Sequence, residues 1–298
     1  MSDDHRNAES EIGGMNFNRV ETVNLLKKWR AVDLVLAVFF FLLYFITSNL
    51  EPFQRQFYIG DLTISHPYAQ HERVTFGELV FYGLVLPFIA ILVAGVLLTK
   101  HENKAYVTYI SLIGLCISVL STNFITDIVK NCIGRHRPDF LERCEPRPDA
   151  PHNVLVYAAE VCTTKNSYRL KEGFRTTPSG HSSLSFSGLY YLSLWIMGQT
   201  RAATHSLGLW RFFLALIPSL GAAVIAISRT EDYRHHFIDV IIGALLGIAI
   251  AQGIYSKFFP SVFVDVSALP YASMVKSTTN GDSGNTRDSY SRLVENEV

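Results

Sequence analysis

Charged residues are scarce in this sequence, and the two signs cancel. Only 17% of its 298 residues are charged, whereas about 25% is usual in soluble globular domains. Lysine and arginine number 26, as do aspartate and glutamate. The lack of a basic excess argues against a nucleic-acid partner. Apolar residues make up 49% of the chain and gather into long blocks, which indicates a membrane protein.

Two further absences narrow the interpretation. The first 30 residues are polar and contain no apolar core of a signal peptide, so we expect a cytosolic N-terminal segment at 1–30 ahead of a membrane domain at 31–260. No HExxH motif and no Cys/His pattern with metal-ligand spacing occurs, so we expect no metal and no other cofactor.

Residues 261–298 are rich in Ser, Thr, Asn and Gly, which predicts a disordered cytosolic tail.

Long hydrophobic runs, by contrast, are abundant, and six of them approach the ~20 residues that cross a bilayer as a helix. The runs VDLVLAVFFFLLYF and VLPFIAILVAGVLL have no polar face at helical spacing, which argues against a large soluble helical core. The sequence therefore predicts an all-α integral membrane bundle of six transmembrane helices. The six runs are Val32–Ser48, Leu79–Leu98, Tyr106–Val129, Ser182–Met197, Phe212–Ile227 and Phe237–Phe259.

The basic residues that flank these runs predict their orientation. Six crossings put both termini on one side of the membrane. Lys28, Lys104 and Arg211 lie on that side, which indicates that it is cytosolic. The segment from 130 to 179 carries nine Lys and Arg on the opposite side, but long loops count for less in this rule. Three clusters of reactive residues fall on that opposite, extracytoplasmic face.

The first cluster, KNCIGRHRP, marks the end of the third run. Lys130 and Arg137 are seven residues apart, which is two helical turns, so both would point the same way. Pro138 disfavours helix at Arg137, so the cluster marks a helix end. A lysine point charge and a planar arginine fork suit a phosphate ligand. Basic residues that merely flank a membrane helix are the alternative.

The second cluster, PSGH, opens the fourth run. Ser179 is a good helix N-cap, and Gly180 allows a ligand to approach the backbone closely. A helix N-terminus offers free N–H groups to an anion, and His181 would stand beside that anion, able to give up a proton near neutral pH. A plain helix cap followed by an interfacial histidine is the alternative.

The third cluster, SRTEDYRHHFIDV, separates the fifth and sixth runs. His235 and Asp239 are four residues apart, so on a helix they would share a face. A carboxylate behind an imidazole orients it, as in catalytic triads. Arg229 lies upstream and would hold a phosphate oxygen, whereas we assign no role to His236. An interfacial charge cluster with one internal salt bridge is the alternative.

The combined inventory suits phosphoryl transfer. One histidine would attack phosphorus and form a phosphohistidine, and the other would protonate the leaving oxygen. The cations would neutralise the charge on the phosphoryl oxygens without a metal ion.

The three clusters also resemble a known family. The patterns K-x6-R-P, P-S-G-H and S-R-x5-H-x3-D, in that order, resemble the signature motifs of the type 2 phosphatidic acid phosphatase superfamily, the lipid phosphate phosphatases. Stretches such as IGRHRPDFLERC, VCTTKN and GFRTTPSGHSS are most similar to its fungal diacylglycerol pyrophosphate phosphatases.

This resemblance implies a role for each residue and a substrate class. His235 would be the nucleophile, Asp239 its orienting partner and His181 the acid. The phosphate cradle would consist of Lys130, Arg137, Ser179, Gly180 and Arg229. The resemblance also implies magnesium-independent action on diacylglycerol pyrophosphate, phosphatidate and lysophosphatidate, with phospholipids of the bilayer as partners. The active site would be lumenal, in a vacuolar or other endomembrane.

Other functions are also compatible with these residues. Sphingoid base phosphates or isoprenoid pyrophosphates would need the same chemistry, and an anion transporter or a silent lipid-binding relative would use a similar cationic mouth. We expect the loop from Asn49 to Thr75 to form a lid or a wall for the lipid headgroup. Cys144 and Cys162 would form a disulfide if their side of the membrane is oxidising.

Overall fold

The computed structural model of the protein describes residues 29–97, 104–204, 208–264 and 266–271. The predicted cytosolic N-terminal segment, apart from residues 29 and 30, and the predicted tail beyond residue 271 lie outside the described residues. The helices are α1 Ala31–Asn49, α2 Phe76–Leu97, α3 Lys104–Ile133, α4 Phe140–Cys144, α5 Ala158–Val161, α6 Ser167–Gly173, α7 180–200, α8 Leu209–Glu231 and α9 Phe237–Phe258.

Five of the described helices, α1, α2, α3, α8 and α9, are long and apolar enough to cross a membrane. Their outer faces carry exposed apolar side chains such as Val32, Val224 and Leu245. Lipid tolerates such faces, and a helix satisfies its own backbone hydrogen bonds there. The prediction of a helical, multi-pass membrane protein is confirmed. The sixth crossing remains a prediction, because α7 is not among these five.

Helix α7 differs from the others because it runs through the middle of the bundle. It consists of Gly180–Ser185, a π-helical turn at Phe186–Tyr190, and Tyr191–Thr200. It contains five serines between residues 182 and 193, which lower its hydropathy. The Ser182 hydroxyl donates to the Val240 carbonyl of α9 at 2.7 Å, and Ser185 donates to Ala222 of α8 at 3.3 Å. Polar groups are satisfied here because α7 faces protein rather than lipid.

Glycines allow the helices around α7 to approach it closely. Helix α2 also contains a π-helical turn, Phe81–Val85, just before Pro87, which cannot donate a backbone hydrogen bond. The two π-helical turns meet at Gly83 and Gly188, where a Cβ atom on Gly188 would collide with the Gly83 carbonyl. At this contact the π-helical turns of α2 and α7 pack directly against each other.

The loops at residues 50–75 and 134–179 form a cap over one end of the bundle. The cap has its own core, in which Phe57, Phe140 and Phe174 are almost fully buried. Phe57 and Val156 pair as an isolated antiparallel bridge. A disulfide joins Cys144 to Cys162, the pair that the sequence left open.

At the other end of the bundle, part of the sequence assigned to the tail packs against the helices. Ser267 Oγ donates to the Gly198 carbonyl at 3.1 Å, and Gln199 Nε2 donates to the Ala268 carbonyl at 2.9 Å. The folded part of the chain therefore extends a few residues beyond position 260.

Candidate active site

Four helix ends meet beneath the cap, and each contributes one part of the predicted site. Lys130 lies in the last turn of α3, Arg229 lies in the last turn of α8, and Gly180 begins α7. The Ser179 N–H donates to the Asp239 carbonyl of α9 at 2.9 Å. A Cβ atom added to Gly180 would lie 3.4 Å from Lys130 Nζ. The three sequence clusters thus form one site, although they are far apart in the chain.

Positive charges surround the imidazole of His235, which is only 3% exposed. Burial lowers the pKa of His235 well below its usual value, and nearby cations lower it further. These cations are Arg137, Lys130 and Arg229. The ring is therefore neutral near pH 7, the state in which an imidazole nitrogen has a lone pair to offer.

His235 does not lie on α9, which differs from the helical spacing assumed in the sequence. His236 is the N-cap of α9, and His235 precedes it. The interpretation that His235 and Asp239 share a helix face is therefore wrong. Instead, Nδ1 of His235 lies 3.2 Å from Thr176 Oγ1, and Thr176 Oγ1 donates to Asp239 Oδ2 at 2.8 Å. Asp239 reaches the imidazole through one hydroxyl group.

The Asp239 carboxylate is fully buried and accepts hydrogen bonds from several groups. Arg135 Nη1 donates to its Oδ1 at 3.0 Å, and Thr177 donates to the same oxygen. Its Oδ2 accepts the His236 backbone N–H at 2.9 Å, in a capping box at the start of α9. His236, which was assigned no role, thus helps to hold this carboxylate.

Arg137 is held in place from behind by α6. Its Nε donates to the Glu172 carbonyl at 2.7 Å, and its Nη2 pairs with the Glu172 carboxylate at 3.1 Å. Burial lowers the pKa of Arg137 to about 10, which leaves it charged. Burial alone would raise the pKa of Glu172, but the cations of Arg137, Arg175 and Lys130 outweigh burial and lower it. Glu172 is therefore a fixed anion that orients the guanidinium group of Arg137.

A second ion pair lies deeper in the site. Arg175 pairs with Glu172 at 2.8 Å and with Asp127 of α3 at 3.0 Å. Lys130 Nζ donates to the Arg175 carbonyl at 3.3 Å. Asp127 thus forms its ion pair with Arg175, 48 residues further along the chain. Lys130 therefore keeps further N–H donors for another ligand.

The N-terminus of α7 contributes backbone donors. Ser179 is its N-cap, and its Oγ accepts the Ser182 N–H at 3.4 Å. Among the described residues, the N–H groups of Gly180 and His181 have no backbone acceptor. These free groups and the positive end of the helix dipole favour an anion at this point.

The segment Glu72–Val74, which we call the strap, crosses the face of the site. The Val74 carbonyl accepts hydrogen bonds from His181 Nε2 at 3.1 Å and from Arg229 Nη1 at 2.9 Å. The Glu72 carboxylate pairs with Arg229 at 2.8 Å and with Arg234 at 2.9 Å. Oxygen atoms of the protein thus bond to Arg229, which the sequence assigned to the phosphate cradle, and to His181, which it assigned as the acid.

Sequence reasoning missed several residues that complete this site. Glu72, Asp127, Glu172 and Arg175 act through ion pairs between distant segments, and no spacing in one sequence reveals such pairs. Thr176 offered a weak signal, because it lies two positions before the PSGH cluster and its hydroxyl is able to accept or donate a hydrogen bond. Within the part of the chain that the structure describes, no group of three His, Cys, Asp or Glu side chains is arranged to hold a metal ion.

The fold and the site together define an integral membrane protein with a cationic site at one end of its helix bundle. The chain belongs to the PAP2 superfamily, which matches residues 111–262, so the resemblance noted in the sequence is confirmed.

Individual relatives are also similar over most of their length. Diacylglycerol pyrophosphate phosphatase 1 of Saccharomyces cerevisiae is 49% identical over 249 residues, which cover 82% of this chain and 86% of that protein. A probable diacylglycerol pyrophosphate phosphatase 1 of Schizosaccharomyces pombe is 38% identical over 218 residues, which cover 73% of this chain and 77% of that protein. Lipid phosphate phosphatase 2 of Arabidopsis thaliana is 36% identical over 72% of each chain. No solved structure matches the chain significantly.

Proposed function

We propose that this protein is a lipid phosphate phosphatase that removes the terminal phosphate of diacylglycerol pyrophosphate to give phosphatidate, and then dephosphorylates phosphatidate to diacylglycerol. Membership of the PAP2 superfamily and the names of the fungal and plant relatives support a phosphatase of lipid phosphates. The choice of the pyrophosphate lipid follows from the similarity to the two yeast proteins.

One observation carries the proposal. The neutral imidazole of His235 lies among the charges of Lys130, Arg137 and Arg229, beside the free N–H groups that begin α7. Cations and backbone donors around a neutral nucleophile suit a phosphoryl group, whose negative charge they neutralise in the transition state.

In the first half of the proposed reaction, a nitrogen of His235 attacks the terminal phosphorus. The bond between phosphorus and the leaving oxygen breaks, and the phosphoryl group is transferred to the imidazole as a phosphohistidine. The imidazolium form of His181, which the negative charge of a bound phosphoryl group favours, donates a proton to the leaving oxygen. The product departs as phosphatidate or diacylglycerol, and His181 is left neutral. Lys130, Arg137 and Arg229, with Ser179 and Gly180, hold the remaining phosphoryl oxygens throughout.

In the second half, water attacks the phosphohistidine. The neutral imidazole of His181 accepts a proton from this water, inorganic phosphate forms, and the His235 ring is released neutral. The charge on phosphorus is neutralised by protein cations and backbone N–H groups, so the proposed reaction requires no magnesium.

We further propose that α7 is the sixth membrane crossing and that the site faces the lumen of a vacuole or another endomembrane compartment. Six crossings return the chain to the side from which it started and leave both termini cytosolic, as the basic residues predict. The disulfide between Cys144 and Cys162 in the cap supports an oxidising compartment on the side of the site.

The loop from Asn49 to Thr75 is proposed to act as a lid through its strap. The strap oxygens bond to His181 and Arg229, the same groups that would contact the leaving oxygen and the phosphoryl group. A bound lipid phosphate must therefore replace these protein contacts, so substrate binding and movement of the strap are coupled.

The test of the proposed function is phosphate release by the purified full-length protein in detergent micelles that contain EDTA. We expect release from diacylglycerol pyrophosphate and from phosphatidate, and we expect His235→Ala to abolish both. Sphingosine 1-phosphate and farnesyl pyrophosphate serve as comparison substrates. Full activity of His235→Ala would refute the nucleophile, and absolute dependence on magnesium would refute the metal-free mechanism. Tight binding without turnover would favour a silent lipid-binding protein.

A further inference from the structure

The neighbours of His235 contain one group whose position constrains the state of the imidazole. The hydroxyl of Thr176 lies 2.8 Å from Asp239 Oδ2 and 3.2 Å from His235 Nδ1. Thr176 is fully buried, so water does not compete for either bond.

The number of protons available determines the direction of these two hydrogen bonds. A threonine hydroxyl has one proton to donate. An ionised carboxylate can only accept, so Thr176 donates its proton to Asp239. The hydroxyl oxygen must then accept from His235, which places the proton of the neutral imidazole on Nδ1. The lone pair is left on Nε2, which has no hydrogen-bond partner among the described residues.

The Asp239 carboxylate is fixed firmly enough to impose this arrangement. Its Oδ1 accepts from Arg135 at 3.0 Å and from Thr177, and its Oδ2 accepts the His236 N–H at 2.9 Å. None of these three groups forms a hydrogen bond with the His235 imidazole, whose Nδ1 is bonded to Thr176. The influence of the carboxylate on the nucleophile therefore passes through Thr176.

We propose that Thr176 is a positioning residue that selects the nucleophilic tautomer of His235 and stabilises the phosphorylated imidazole by accepting its Nδ1–H. This inference rests on the proposed function and adds to it the residue that transmits the effect of Asp239. Without the hydroxyl, the imidazole is free to carry its proton on Nε2, where it blocks attack on phosphorus.

The test compares three substitutions in the full-length protein in micelles. Thr176→Val keeps the shape of the side chain but removes the hydroxyl, and we expect kcat to fall about 10- to 100-fold, the loss typical of one hydrogen bond to a charged group. KM and the inhibition constant of inorganic phosphate should stay within about twofold, since the cations are untouched. Thr176→Ser restores the hydroxyl and should recover activity to within about threefold.

Thr108→Val is the matched control. It also removes the hydroxyl of a buried threonine, which donates to the Lys104 carbonyl at 2.9 Å near the start of α3, and this hydroxyl bonds to neither Asp239 nor His235. We expect its kcat to stay within about threefold of the wild type, because the bond between Thr176 and the imidazole persists.

A double-mutant cycle separates positioning from a general structural effect. If Asp239 acts through Thr176, the losses from Thr176→Val and Asp239→Asn should not multiply. The inference is overturned if Thr176→Val retains wild-type kcat, if Thr108→Val loses as much activity, if Thr176→Ser fails to recover, or if the two losses multiply. A wild-type protein without phosphatase activity would instead refute the proposed function, so the two failures are distinguishable.

Discussion

The contact between the strap and the cations leads to a prediction about substrate affinity. Glu72 pairs with Arg229 and Arg234 at 2.8 and 2.9 Å, and its side chain is 29% exposed. The change Glu72→Gln keeps the size of the side chain and removes its charge. If the strap must move before a phosphate group binds, this change should make binding tighter.

The size of the effect follows from the two ion pairs. A buried charge-assisted hydrogen bond contributes about 1.5–3 kcal/mol, whereas exposed pairs contribute about 0–1 kcal/mol. For a partly exposed carboxylate we take a total of about 1–2 kcal/mol, which corresponds to about 5- to 30-fold in an equilibrium constant. The apparent affinity for phosphate rises with the fraction of molecules in which the strap has moved away from Arg229. The inhibition constant of inorganic phosphate should therefore fall by up to about 5- to 30-fold.

The assay is competitive inhibition of phosphatidate hydrolysis by inorganic phosphate. Glu231→Gln is the control, because Glu231 pairs with Arg73 of the strap at 2.9 Å but both side chains are largely exposed, at 47% and 64%. This control should change the inhibition constant by less than about twofold. An unchanged or increased inhibition constant in Glu72→Gln would refute the reasoning and would indicate that Glu72 instead orients Arg229 for binding.

Two further predictions concern the leaving group and the stability of the cap. His181→Ala should slow hydrolysis of phosphatidate by about 10²- to 10⁴-fold, and that of diacylglycerol pyrophosphate by a smaller factor, because an alkoxide needs a proton more than a phosphate oxygen does. Equal losses in a side-by-side rate assay would contradict the acid role. His136 is packed against Phe57, Phe140 and Phe174, and burial lowers its pKa to about 4. The unfolded chain therefore binds this proton first, and stability falls as pH drops from about 6.5 toward 4, by about 3 kcal/mol in all. His136→Phe should flatten the dependence of melting temperature on pH in that range, and an unaltered slope would contradict this assignment.

The sequence predicted the long helices well because their signal is local. The runs Val32–Ser48 and Phe237–Phe259 differ by at most one residue at either end from the observed helices Ala31–Asn49 and Phe237–Phe258. The mean hydropathy of a segment depends only on residues that are adjacent in the chain, so a single sequence is enough to locate a membrane-spanning helix. The hydropathy signal of α7 is weaker because this helix contains serines, such as Ser182 and Ser185, that bond to other helices rather than facing lipid.

The interior of the site could be predicted only in part. Residues such as Lys130, His181 and Arg229 were found because helix ends and short motifs are also local features. The link from His235 to Asp239 was misjudged because α9 begins two residues after His235, and helical spacing does not apply before the helix starts. The partners Glu72 and Arg175 reach the site across 157 and 48 residues of chain, distances over which no periodicity carries information.

The serines of α7 also affect how the protein is assembled. The hydroxyl groups of Ser182 and Ser185 donate to Val240 of α9 and Ala222 of α8, and a helix that depends on such partners gains less from entering the lipid by itself. Both partners emerge from the ribosome after α7 does. If α7 is the sixth crossing, as proposed, its stable integration must wait for the last two helices to be synthesised, and the final stage of membrane insertion is a collective step.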